Sequence, residues 1–300
     1  MNLSKISIAL IGILALALSL IGKVVPNRIS RNTREEKLEI SVSFYPLAYI
    51  VSQIAGDKAH VITITPAGAE PHDYEPSTRD IARIEQSDLL ILNGVGLEAW
   101  GEKILSNLKN KDTEVIVAAD GLEIHTLDPH IWLDPVLANT VAANIARALI
   151  EIDPTNRSYY EKNQQNLGSE LDSLDRAFRE ELSQCLKKYI VTSHAAFGYI
   201  ASRYGLEQIS LSGLSPDQEP SPRELASVVE FTKTHDISYI FIEPLMNARL
   251  SETIAHEVGA KTLVFNPLEG LTREEESAGK TYLTIQRENL ENLKIALECR

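Results

Sequence analysis

The chain has 300 residues, 44% of them hydrophobic, and a formal net charge of −13. That length accommodates two ordinary domains with their own cores. The acidic balance argues against a nucleic-acid partner, which wants a basic face, and suits a soluble protein that handles cations.

Lys5 precedes an apolar run from Ile6 to Gly22, "ISIALIGILALALSLIG". It is marginal for a spanning helix and long for a signal core, and residues 1–22 are read as an export signal or anchor. No A-x-A cleavage site follows, and Lys23, Arg28, Arg31 and Arg34 disfavour translocation of the far side. A cleaved signal and an uncleaved anchor both stand. No cysteine precedes Cys185, so attachment through a lipidated N-terminal cysteine is not expected. Residues 23–37 are polar and aperiodic and read as a linker.

From residue 38, short β-branched runs alternate with helical patterns. The strand candidates are 38–44, 60–65, 88–93 and 114–119, then 188–193, 207–212, 238–243 and 261–266. Such alternation predicts parallel sheets with helices on both faces. Ser77 to Asp80 and Ser221 to Glu224 read as capping boxes, the second with Pro222 at the first helical position. Asp134-Pro135 is a further N-cap and first-turn proline, opening a helix just after "DPHIW". Between about Thr155 and Lys187, Leu167, Leu171, Leu174, Phe178 and Leu182 fall on one helical face. A helix of about 30 residues is roughly 45 Å long. The expected fold is α/β: an N-terminal lobe over 38–153, one long rigid connecting helix over 154–187 and a C-terminal lobe over 188–300. Cys185 and Cys299 are the only cysteines. Export permits a disulfide between them, and two unrelated buried thiols are the alternative.

Three of seven histidines share a topological position. His72 follows the strand at 60–65, His130 the strand at 114–119 and His194 the strand at 188–193. Ligands of open α/β sheets bind outside the carboxyl ends of strands, and a cleft between lobes brings these histidines together. Glu269, after the strand at 261–266, has the same placement. Three imidazoles and one carboxylate make a tetrahedral site suited to Zn²⁺, whereas a carboxylate-richer set suits Mn²⁺. His60, His125, His235 and His256 read as ordinary structural or surface histidines, with weak metal collection at the cleft mouth as the alternative for His125. Asp128 and Glu243 are candidates to hold the second ring nitrogens of ligand histidines, or to serve as caps. "GLEAWGEK" (96–103) spaces two glycines like a phosphate loop but places Glu102 where the lysine belongs. G-x-G-x-x-G, G-x-S-x-G and H-E-x-x-H do not occur.

The stretches "GAEPHDYEPS", "NGVGLEAW", "DPHIWLDP", "TSHAAFGYIASRYGL", "SGLSPDQEPSP", "IFIEPL" and "NPLEGLT" resemble those of the zinc-binding solute-binding proteins of bacterial ABC importers, in the cluster that includes manganese binders. The resemblance runs from about Ile40 to the C-terminus. It implies two α/β lobes bridged by a rigid helix, and a metal held by His72, His130, His194 and a carboxylate of the second lobe. That carboxylate falls on Glu269; an aspartate near the place of Asn266 serves in other branches. Histidine at 194 resembles the zinc branch. The segment before His130 is short and lacks the histidine-rich loop of many relatives. The implied role is a periplasmic, non-enzymatic monomer that captures Zn²⁺ and delivers it to a membrane permease served by a separate ATPase. The alternatives are manganese import by the same fold and a zinc hydrolase with Glu243 as base, which needs an open coordination position.

Overall fold

The computed structural model describes residues 37–108, 112–122, 124 and 127–300. The expected signal or anchor, residues 23–36 of the linker and His125 lie outside the described residues. Among the described residues, no helix is long and apolar enough to cross a membrane.

Strands β1 (Leu38–Val42), β2 (Ala59–Thr63), β3 (Leu89–Leu92) and β4 (Glu114–Val117) form a parallel sheet in the order β2-β1-β3-β4. Strands β5 (Tyr189–Thr192), β6 (Glu207–Ser210), β7 (Tyr239–Ile242) and β8 (Lys261–Val264) repeat the pattern as β6-β5-β7-β8. All eight expected strands are present. Each stops one or two residues before its apolar run does, and the loops that follow β2, β4, β5 and β8 bear the histidines and Glu269.

The strands are apolar on both sides because both faces are covered. In β3, Leu89 and Ile91 enter the large central core, while Leu90 and Leu92 join Ile64, Ile84 and Trp100 on the opposite face. The period of two along a strand produces this split. In β7, Phe241 faces the central core and Ile240 a smaller cluster with Val191, Leu211 and Ile254.

The helices are α1 (Tyr45–Ala55), α2 (Thr78–Ile84), α3 (Gly101–Asn107), α4 (Pro135–Ile152), α5 (Arg157–Leu182), α6 (Gly198–Tyr204), α7 (Pro222–Thr234), α8 (Arg249–Val258), α9 (Arg273–Ser277) and α10 (Tyr282–Ala296). The two expected capping boxes start α2 and α7. Asp134 caps α4, accepting from the Val136 N–H at 2.9 Å. Helix α5 has 26 residues, roughly 39 Å at 1.5 Å per residue. Its buried face holds Leu167, Leu171, Leu174, Phe178 and Leu182, as the spacing predicts. It is shorter at both ends than the expected 155–187. A 3₁₀ turn at Pro154–Asn156 precedes it, and after Leu182 the chain turns so that Cys185 can bond Cys299. The two cysteines are therefore paired, which resolves the choice left open above.

Candidate metal centre

Four loops at the carboxyl ends of β2, β4, β5 and β8 converge between the two sheets and bring His72, His130, His194 and Glu269 together. His130 and His194 are fully buried and Glu269 is nearly so. His72 retains only 8% of its side-chain exposure.

Each loop is built locally. Pro129 leads into His130, and Asp128 Oδ1 accepts from both the His130 backbone N–H (3.0 Å) and its Nδ1–H (2.6 Å). Glu243, at the end of β7, does the same for His194. Its Oε1 accepts the backbone N–H at 3.0 Å and its Oε2 the Nδ1–H at 2.5 Å. Both rings thus present Nε2 to the centre, the tautomer set by the partner of the other nitrogen. Glu269 follows Leu268, whose φ of 58° is left-handed. That bend is held by Asn266, whose Oδ1 accepts the Leu268 N–H at 2.8 Å and whose amide donates to Glu275 at 2.9 Å. Asn266 therefore serves the loop, and Glu269 is the carboxylate in the centre.

The central atoms are close. Nε2 of His130 lies 3.3 Å from Nε2 of His72 and 3.3 Å from Nε2 of His194. Oε1 of Glu269 lies 3.1 Å from His130 Nε2, 3.1 Å from His194 Nε2 and 3.3 Å from His72 Nε2. All four atoms lie within 4.8 Å of one another. A zinc ion with bonds of about 2.0–2.1 Å sets tetrahedral edges of about 3.3–3.4 Å. Five edges here fall within 0.2 Å of 3.3 Å. Imidazole lone pairs aimed at one point repel unless a cation, or protons, sits among them.

Without a cation, protons compensate. Burial alone pushes the His130 and His194 imidazoles down. The carboxylates of Asp128 and Glu269 at one ring, and of Glu243 and Glu269 at the other, outweigh it and hold both above the ordinary range. Burial pushes Glu269 up, yet the hydrogen bond from His130 and the charge of His194 hold it well below the usual carboxylate range.

One further group belongs here that sequence reasoning did not single out. Glu70 accepts the His72 backbone N–H at 3.3 Å. Burial first, and the charge of Glu269 second, push its carboxyl up to about 9. Oε2 of Glu70 and Oε2 of Glu269 are both buried without a hydrogen-bond partner. The signal available was its place two residues before His72, but Glu-Pro-His carries no ligand spacing of its own. A cavity of about 450 Å³ opens beside Glu70, with Asp73, Asp217 and Glu219 on its wall. The remaining described histidines lie elsewhere. His60 pairs with Glu39 on the surface, His235 stacks on Phe231 at the end of α7, and His256 sits in the last turn of α8.

Comparison with known proteins agrees with this geometry. The high-affinity zinc uptake system protein ZnuA of Bacillus subtilis is 36% identical over 287 residues, covering 89% of this chain and 90% of its own length. The zinc-binding lipoprotein AdcA of Streptococcus pneumoniae is 39% identical, covering 86% of this chain and 55% of its own, longer sequence. The crystal structure of the Zn(II)-bound ZnuA-like domain of S. pneumoniae AdcA superposes with a TM-score of 0.79 at 40% identity, covering 88% of this chain and all of that domain. The chain belongs to the family described as ZnuA, zinc-uptake complex component A, periplasmic, whose model matches residues 40–296.

Proposed function

We propose that this protein is the zinc-binding component of a bacterial ABC importer. It captures Zn²⁺ with His72, His130, His194 and Glu269 and hands it, as a monomer, to a membrane permease driven by a separate ATPase. The observation that carries the reading is the convergence of three imidazole nitrogens and one carboxylate oxygen with edges of 3.1 to 3.3 Å. Four protein donors complete a tetrahedron and leave no position for a hydrolytic water, which favours a carrier over a zinc hydrolase. The cavity beside Glu70, with Asp73, Asp217 and Glu219 against the single Arg249 on its wall, offers a cation an approach of opposite charge.

The Cys185–Cys299 disulfide supports a place outside the cytoplasm, where such bonds persist. The pneumococcal relative is named a lipoprotein, which conflicts with the expectation of no lipid attachment.

Calorimetric titration of metal-stripped protein with Zn²⁺ and Mn²⁺ separately tests the assignment. One tight zinc equivalent with weak manganese is the expected result. Tight manganese with weak zinc transfers the chain to the manganese-importing reading, and no tight binding of either removes the metal assignment.

A further inference from the structure

The stretch Asn93–Trp100, "NGVGLEAW", lies at the carboxyl end of β3 and supplies no metal donor. Its backbone is unusual. Gly94, Val95 and Gly96 are all left-handed, with φ of 86°, 56° and 81°. Glycine takes this conformation freely, but a β-branched residue does so only under strain. Residue 94 has no room for a side chain, since a Cβ there would lie 2.4 Å from Val117 Cγ1. Strain of this kind persists only where the surroundings enforce it.

Glu98 enforces it. Its Oε1 accepts the Asn93 N–H at 2.7 Å and its Oε2 the Gly94 N–H at 3.0 Å. Both carboxylate oxygens are used, so the bend needs an acceptor at each. The bend in turn delivers Asn93, which is fully buried. Its Nδ2 donates to the Pro129 carbonyl at 2.9 Å. That carbonyl and the His130 N–H belong to the same peptide group, and the N–H is held by Asp128 Oδ1 at 3.0 Å. The peptide that launches His130 is thus pinned at both ends, by Asp128 on its nitrogen and by Asn93 on its oxygen.

We propose that Glu98 and Asn93 are positioning residues for the metal centre. Glu98 fixes the bend, Asn93 transmits it to the 129–130 peptide, and that peptide aims the His130 ring. The inference rests on the reading of His130 as a zinc ligand, and it adds a lever from outside the donor set. Outer partners of metal ligands typically change affinity 10- to 100-fold when removed, roughly the range expected here.

The test uses the full chain as wild type, Glu98→Gln and Asn93→Ala. Glutamine keeps one acceptor and points its NH₂ at the second N–H, so the clamp fails. Alanine at 93 leaves the Glu98 clamp intact, because Glu98 grips backbone atoms, and removes the link to Pro129 together with the amide's own bond to the Gly94 carbonyl at 3.2 Å. Three quantities are read: Zn²⁺ affinity by calorimetry, the visible spectrum of the Co²⁺-loaded protein, and hydrogen exchange of residues 128–135 without metal. Both variants are expected to bind zinc about 10- to 100-fold more weakly, to shift the Co²⁺ bands and to exchange faster across 128–135. If a folded Asn93→Ala matches wild type in zinc affinity, Co²⁺ spectrum and exchange, the proposal is overturned. That variant decides the matter should Glu98→Gln not fold. A wild-type chain that binds no zinc would sink the importer reading instead, and the exchange data on metal-free protein would still judge the role of Asn93.

Discussion

His130 and His194 are held alike. Each gives its Nδ1–H to a carboxylate that also accepts its own backbone N–H. One acidic side chain therefore sets both the ring tautomer and the backbone from which the ring departs. Replacing His194, one of the four proposed donors, with alanine is expected to weaken zinc binding by at least about 100-fold, roughly 2.7 kcal/mol; calorimetry checks it, and a variant that binds like wild type removes His194 from the site. Glu243→Gln keeps the shape but loses the charge-assisted bond to Nδ1–H. A loss of roughly 10- to 100-fold is expected, measured by competition with a chelating dye. An unchanged affinity would reduce Glu243 to a structural anchor. At this scale Asp128 and Glu243 were legible as candidate partners of the histidines. Glu70 was not, because its role depends on facing Glu269 from the other lobe, and no local spacing encodes that.

At the scale of elements, the segment 128–135 belongs to the first lobe by chain order but is fastened to the second. Tyr199 donates to the Asp128 carbonyl at 2.9 Å, Trp132 Nε1 to the Pro267 carbonyl at 2.8 Å and Gln286 to the Leu133 carbonyl at 2.9 Å. Tyr282 donates to the Trp132 carbonyl, and Arg203 pairs with the buried Asp134. These bonds seat His130 beside His194 and Glu269. The second staple is the Cys185–Cys299 bond, which joins the end of α5 to the end of α10 across 114 residues of sequence. Chain entropy over such a loop makes it worth about 2–5 kcal/mol. Replacing both cysteines with serine is expected to lower stability by that amount in guanidinium denaturation, with zinc affinity unchanged because the bond holds none of the four proposed donors. A loss below about 1 kcal/mol, or a weakened site, would contradict this account.

Over the whole molecule, one core runs from β1, α1 and α4 through α5 to Phe197, Phe241, Phe265 and Tyr282 of the second half. The lobes share buried apolar surface and are not separate bodies on a tether. The charge balance of the centre predicts how this molecule responds to pH. In the metal-free fold His130 and His194 titrate above the ordinary imidazole value of about 6.5. The stability they lend that form is complete below this value and is lost as pH rises through their raised ones. Glu269 titrates below the ordinary carboxylate value of about 4.3, so its contribution is present above that value and lost as pH falls through its lowered one. Between the two, the protonated imidazoles and ionised Glu269 favour the metal-free form. Zinc requires neutral imidazoles and displaces those protons. The melting temperature gained on adding Zn²⁺ is therefore expected to shrink steadily from pH 8 to pH 5. A gain that stays constant, measured by calorimetric melting, would show that the histidines do not bind the ion.

Much of this was written locally. Alternating runs specify strands, Ser77, Asp134 and Ser221 specify helix starts, and the Leu167–Leu182 spacing specifies the buried face of α5, because each depends on neighbours a few residues away. The order of strands and loops was enough to place His72, His130, His194 and Glu269 at the carboxyl ends of two sheets. Tertiary structure alone decided the rest: that Cys185 meets Cys299, that Asn266 holds a loop while Glu269 enters the centre, that Glu70 faces Glu269, and that Asn93 reaches Pro129. Each of these is a contact between segments tens of residues or more apart, or a choice between near neighbours that such a contact makes. Its energy appears only after packing has brought the groups within hydrogen-bond or bonding distance.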